Sequence, residues 1–238
     1  MPKYLIQLSQ CHFDFRIPEL ESLAELHNID IDFKSIKYDA NYPYLIIDLP
    51  DAKTAALLIQ RSILTTGIYE LYSEGQTYDD IFKNINNDFA KLSQDEEFSK
   101  KTMKFQLHTS NKRSKYTMPE MVEIFNDFAV LNIKNKISLK SPQVIFQIFE
   151  HYKDVSDETP SMIYFTRLVQ LSLRSTGVLD KLRLNKRPYI GTTTFEPELS
   201  LVTCNLSLVK PFRFVYDPFC GTGGFLTAAA TIDANTLV

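Results

Sequence analysis

Val215-Tyr216-Asp217-Pro218-Phe219-Cys220-Gly221-Thr222-Gly223-Gly224-Phe225 reads as a strand, a tight turn and the opening of a helix. The sequence has only 7 glycines, and Gly221, Gly223 and Gly224 fall within this stretch. Without a Cβ the backbone can turn sharply and a ligand can approach the main chain. Exposed N–H groups and the helix dipole at such a turn favour a carboxylate or phosphate, so the stretch suits a cofactor with an anionic end. No Gly-x-Gly-x-x-Gly can be written here, which removes the dinucleotide-binding pattern. The plain alternative is an ordinary strand-to-helix turn, because a glycine cluster alone is weak evidence for a cofactor.

Upstream, Arg183, Lys186 and Arg187 precede Pro188-Tyr189-Ile190-Gly191, and Thr193 with Glu196 three residues on suits a capping box. Pro197 fits the first turn of a helix expected to run to about Val209, with Leu199, Val202, Leu206 and Val209 on one side. A strand is expected over 212–217. An acid at the strand end, then Pro218, Phe219 and helix-opening glycines, resembles motif I of class I S-adenosylmethionine methyltransferases. The match is to the Asp-Pro-Phe-x-Gly-Thr-Gly form typical of enzymes that methylate exocyclic amino groups of bases. That resemblance implies S-adenosylmethionine as cofactor, with Thr193, Thr194, Phe195, Asp217, Pro218, Phe219, Gly221, Thr222 and Gly223 around it.

The remainder of the chain supplies the context. Periodicity predicts strands over 3–9, 32–38, 42–49 and 68–72, and helices over 18–27, 52–62 (capped by Asp51) and 78–92. This is a split βαβ-βαβ order, the ferredoxin-like arrangement, which hosts many functions and decides none. Beyond the charged stretch 94–101, strands are expected over 103–108, 136–139, 143–149 and 162–173, with a helix from Pro119 to about Phe128.

The net charge of −3 conceals an asymmetry. Residues 1–98 hold 8 Lys+Arg against 17 Asp+Glu, and residues 99–187 hold 16 against 8. A local positive surface suffices to attract phosphates, so Lys100, Lys101, Lys104, Lys112, Arg113, Lys115, Lys134, Lys136 and Lys140 are candidate RNA contacts. The bland reading is that these cations are merely solvated.

Lys-Arg-Pro-Tyr-Ile-Gly-Thr-Thr, Glu-Leu-Ser-Leu, Asn205 and Tyr-Asp-Pro-Phe, at this spacing, resemble the family of eukaryotic tRNA guanosine-10 N2-methyltransferase catalytic subunits. The residues from 135 to 149 resemble the strand-turn-strand of a THUMP domain. The resemblance implies an α/β chain, α+β in its front half. Its expected parts are a ferredoxin-like N-terminal domain over 1–98, a THUMP-like RNA-binding domain over 99–180, and over 181–238 the first fragment of a Rossmann-like methyltransferase domain. It also implies tRNA as substrate and a small zinc-binding activator subunit as partner. The family's Asp-Pro-Pro-Tyr motif, which orients the base amine, is absent from the sequence, so no catalytic residue is assigned. The chain therefore reads as truncated just after motif I and inactive by itself, with a poorly ordered end. A non-catalytic RNA-binding module is the main alternative; a DNA amino-methyltransferase is disfavoured, because an RNA-type module precedes the catalytic motif.

Other classes drop out on composition. Three cysteines (Cys11, Cys204, Cys220) and 4 histidines show neither a disulfide framework nor metal-ligand spacing, so no metal is expected. Apolar runs are too short to span a bilayer and no signal-peptide layout is present, so a cytoplasmic protein is expected.

Overall fold

The computed structural model describes residues 1–112, 116–187, 190 and 195–238. In chain order the elements are β1 (Lys3–Leu8), α1 (Arg16–His27), β2 (Tyr44–Asp48), α2 (Ala52–Ile59), β3 (Thr65–Gly75), α3 (Tyr78–Lys83), α4 (Asn87–Gln94), α5 (Glu96–Ser99), β4 (Met103–Ser110), α6 (Met118–Asp127), β5 (Val144–His151), β6 (Met162–Leu171), α7 (Val178–Lys181), α8 (Pro197–Leu206), β7 (Phe214–Tyr216), α9 (Gly224–Thr231) and β8 (Asn235–Leu237). Contacts divide them into two units, Met1–Leu5 with Tyr69–Leu168 and Ile6–Ile68 with Val169–Val238.

In the first unit the strands run in the order β1-β3-β6-β5-β4. β4 and β5 are parallel, with Met103 opposite Val144, and β5 and β6 antiparallel, with Phe146 opposite Arg167. The apolar run of β5 is buried nearly throughout, as expected for a strand covered on both faces. Its Phe146 ring stands 5.5 Å from that of Phe165, which lies 4.9 Å from Phe128. Ile81, Phe89 and Phe98 join this aromatic core, which is why residues 69–98 fold with it.

The helix expected over 78–92 is two helices. Thr77 and Asp80 form a capping box that opens α3. Asn86 then donates from Nδ2 to Leu71 O at 2.8 Å and accepts from the Phe89 N–H at 3.0 Å, which opens α4. Asparagine side chains compete for backbone groups and break a helix that apolar spacing alone would continue. The strand expected over 136–139 is reduced to a parallel bridge between Met103 and Ile137.

In the second unit β2, β1 and β3 are neighbours in that order, and β7 pairs with β8. The strand expected over 32–38 is a 3-10 turn at Phe33–Ser35. The Asp32 carboxylate accepts the Lys34 N–H at 3.1 Å, and this local bond replaces a ladder. α8 stops at Leu206, short of Val209, because Leu208 turns to φ 52° and the Val209 N–H bonds back to Cys204 O at 3.1 Å. β7 starts at Phe214 because Phe212 sits at φ 62°.

β7, α9 and β8 form a short β-α-β unit with parallel strands, Val215 opposite Thr236. That is one strand more than the single strand and turn expected. Ala228 and Ala229 of α9 are buried with Leu201 and Val202 of α8 and with Ile63 and Leu64, so the segment packs into a core that it shares with the turn after α2. Among the described residues no helix is long and apolar enough to cross a membrane.

Candidate functional site

The glycine turn is built from backbone geometry first. β7 delivers Asp217, whose N–H donates to Leu237 O at 3.1 Å and whose carboxylate accepts the Phe219 N–H at 3.1 Å. Gly221 and Gly223 adopt φ 51° and 74°, the left-handed region that side chains with a Cβ resist. The Gly223 N–H closes on Cys220 O at 2.6 Å, and α9 starts at the next residue. Arg187 donates from Nη1 to Thr222 O at 3.1 Å.

Around this turn lies an open cavity of about 410 Å³ lined by Phe195, Asp217, Phe219, Cys220, Gly221, Thr222, Gly224 and Phe225. The Phe195 and Phe225 rings are 4.8 Å apart and form one wall. Phe219 projects into solvent, 93% exposed. Of the residues expected at the cofactor, the structure gathers Phe195, Asp217, Phe219, Gly221 and Thr222 on this cavity; Pro218 and Gly223 belong to the same turn. Thr193 and Thr194 lie outside the described residues; Glu196, expected at the third helical position of a capping box, is instead the extended N-cap of α8, which begins at Pro197.

Two polar clusters that the sequence did not reveal hold α8 beside the turn. Glu198 Oε1 accepts from Arg174 Nη1 and from Cys11 Sγ, each at 2.7 Å. Burial pushes the Glu198 carboxyl up, yet these bonds and the guanidinium charge outweigh it and hold the group below the ordinary 4.5. Cys11, His12 and Glu198 bring three potential metal ligands within 4.8 Å of one another, but Arg174 already shares the Glu198 oxygen and would repel a cation. The other cluster is deeper. Glu19 accepts from Ser62 Oγ, the Leu64 N–H and Asn205 Nδ2 at 2.7–2.8 Å, and Arg61 Nε donates to Asn205 Oδ1 at 2.8 Å. Asn205 was legible as part of a motif, but not its partners, which lie 144 and 186 positions away.

The depressed Glu198 carboxyl fixes a sign. Its share of stability is complete above the unfolded value of 4.5 and is lost as pH falls through the lower folded value. Arg174→Met removes the partner, so stability should fall less steeply between about pH 5 and pH 3 than in the parent. Urea titrations at several pH values measure this, and parallel pH profiles would count against it.

The basic residues are sorted by their surroundings. Met103 N–H donates to Lys136 O and Asn135 Nδ2 to Lys101 O, which brings the segment around 134–140 beside the start of β4. Lys101, Lys134, Lys136 and Lys140 are exposed there, and Lys104 is half-buried. Lys100 is exposed and paired with Glu97 at 2.6 Å. Lys112 is engaged otherwise: its ammonium lies 3.6 Å from the Tyr116 ring centre and donates to Tyr152 Oη at 2.8 Å. Tyr152 and Tyr78 in turn donate to the buried Glu150, at 2.9 and 2.7 Å. Burial together with this carboxylate pushes both phenols up, so they stay protonated donors. Lys112 thus anchors a tyrosine cage. Arg113 and Lys115 lie outside the described residues.

The model of the Tmrp11 THUMP N-terminal domain matches residues 2–174. The chain belongs to that family. A second model, the RMKL-like methyltransferase domain, matches residues 184–238, which contain the glycine turn. The chain is 44% identical over 234 residues to the tRNA (guanine(10)-N(2))-methyltransferase of Saccharomyces cerevisiae, covering 96% of this chain and 52% of that protein. It is 30% identical over 235 residues to tRNA (guanine(10)-N(2))-methyltransferase TRMT11 of Homo sapiens, covering 98% and 50%. The chain therefore spans about half the length of these relatives. Among solved structures, TrmN from Thermus thermophilus has a similar fold, with a TM-score of 0.53 at 15% identity over 98% of this chain and 64% of that one.

Proposed function

We propose that this family member is part of a tRNA methyltransferase that transfers a methyl group from S-adenosylmethionine to the N2 amine of guanosine 10. The observation that carries the reading is the cavity at the glycine turn, held in a left-handed conformation beside Asp217. The residues fit the donor: main-chain N–H groups at a glycine turn accommodate a carboxylate, and the Phe195–Phe225 wall offers an apolar face. Phe195, Asp217, Pro218, Phe219, Gly221, Thr222 and Gly223, with Thr193 and Thr194, would hold it. When bound, the donor supplies an electrophilic methyl on a sulfonium sulfur. The chain's own part is to orient that donor, since in-line geometry carries much of the rate of such transfers. No residue of this sequence is assigned to orienting the guanine amine.

The tRNA is gripped by phosphate contacts from Lys101, Lys104, Lys134, Lys136 and Lys140, and Arg113 and Lys115 add to the same positive charge in the sequence. Lys112 is engaged by Tyr116 and Tyr152, and Lys100 is weakened as a contact by Glu97. The division at 98 and 180, a small zinc-binding activator subunit and a cytoplasmic setting belong to the same reading. The free Cys11, Cys204 and Cys220 agree with a reducing compartment.

The test is methylation of tRNA transcripts by the full-length protein with labelled S-adenosylmethionine. Label should enter transcripts with guanosine at position 10 and not those with adenosine there. Removing Lys134, Lys136 and Lys140 together should lower the salt slope of tRNA binding by about 2–3. Retained tRNA binding without any donor binding would favour a binding module, and label in DNA would favour the DNA amino-methyltransferase.

A further inference from the structure

α8 has two working faces. Glu198 and Asn205 are seven residues apart, two helical turns, and so share one face. On that face Glu198 is held by Arg174 and Cys11. Asn205 donates from Nδ2 to Glu19 and to Arg61 O and accepts from Arg61 Nε, while Arg61 Nη1 reaches Val209 O at 2.8 Å. Ser200 lies about 200° around the helix from Glu198. A Cβ placed on Gly224 would meet Ser200 Oγ and Phe195 O, each at 3.4 Å. Phe195, just before α8, completes the cavity wall against Phe225. The helix is thus a spacer, fastened on one side to α1 and the turn after α2 and setting the cofactor wall on the other.

The fastening is polar where it is deepest. Glu19 is 0% exposed, Asn205 1% and Arg61 9%. Leu201 and Val202 pack among apolar neighbours and would tolerate a small slide of the helix. Hydrogen bonds to a buried carboxylate and a guanidinium do not, because a shifted partner leaves buried groups unpaired.

We infer that Glu19, Arg61 and Asn205 are positioning residues for the methyl donor: without touching the cavity, they fix α8 and the Phe195 wall, and so set donor affinity from the first third of the chain. This rests on the reading of the cavity as the donor site. A buried polar node that only stabilised the fold would change the amount of active protein and leave the affinity of the folded fraction unaltered.

The experiment uses the full-length protein and follows S-adenosylmethionine and S-adenosylhomocysteine binding by titration, KM and kcat for tRNA methylation, and tRNA affinity. Glu19→Gln and Asn205→Asp each misplace one hydrogen or charge in the node. Each should raise the donor Kd and KM about tenfold, with kcat at saturating donor and tRNA affinity within about twofold. Combining the two lets the amide at position 19 donate to the carboxylate at position 205, and most of the donor affinity should return. Arg61→Lys keeps the charge but loses the Nε–H, and should show the same split if a Glu19 variant fails to fold. Unchanged donor affinity in the folded variants overturns the inference. So does a fall in kcat at constant KM, or a combined variant no better than the weaker single one. A parent protein that binds tRNA but no donor overturns the donor-site reading itself, a result visible before any variant is compared.

Discussion

Replacing Gly223 with valine is expected to weaken S-adenosylmethionine binding about 100-fold. Gly223 sits at φ 74°, and nothing of the protein lies within 4 Å of where its Cβ would stand. The effect therefore comes from the backbone and the ligand, with no clash inside the fold. Holding a side chain with a Cβ in the left-handed region costs roughly 1–2 kcal/mol, and a β-branched one falls at the upper end. The turn then relaxes in the free protein, and the donor must restore it on binding, a loss of about tenfold. A branched side chain in the open space beside the turn also bars close approach of the donor's anionic end to the main chain, which adds a comparable factor. Gly224→Ala separates the two causes: Gly224 lines the same cavity but needs no left-handed φ, so its Cβ, which would meet Ser200 Oγ and Phe195 O at 3.4 Å, should weaken binding less than Gly223→Val does. Calorimetric titration decides the matter. Equal donor affinity in Gly223→Val and the parent would remove the glycine turn as the binding element.

Glu19→Ala should produce the largest loss of stability, about 3–5 kcal/mol. Its carboxylate accepts from Ser62 Oγ at 2.7 Å, the Ile63 N–H at 3.0 Å, the Leu64 N–H at 2.8 Å and Asn205 Nδ2 at 2.7 Å. Burial pushes the carboxyl pKa up, while each of these bonds pulls it back. Each buried donor left without an acceptor costs about 1–3 kcal/mol, and water entering the space left by alanine offsets part of that sum. Urea unfolding followed by hydrogen exchange should show lost protection at Ile63 and Leu64 first. A shift below about 1 kcal/mol would mean that the donors have found other partners, and that the node does not secure the fold. Glu19→Gln keeps an acceptor in place and should cost markedly less, which separates the loss of packing from the loss of hydrogen bonds.

What could be read from the residues alone was whatever depends on neighbours in the chain. The glycine turn after a strand-end acid, the buried run of β5, the Asp51 cap and the basic middle segment are local patterns, and local physics dictates them. Apolar spacing failed where a polar side chain captured the backbone, at the Asp32 turn and at Asn86, because one hydrogen bond outweighs a weak periodicity. Tertiary folding alone decided what joins distant positions. The Glu19–Arg61–Asn205 node, the Glu198–Arg174 pair and the tyrosines around Glu150 pair groups that a sequence reading takes for surface polar residues. A buried charge declares itself only once its partners arrive, since its energy depends on distance in space and not along the chain. Lys112 shows the same point from the other side: in the sequence it is one more cation in a basic stretch, and in the fold it is the anchor of an aromatic cage.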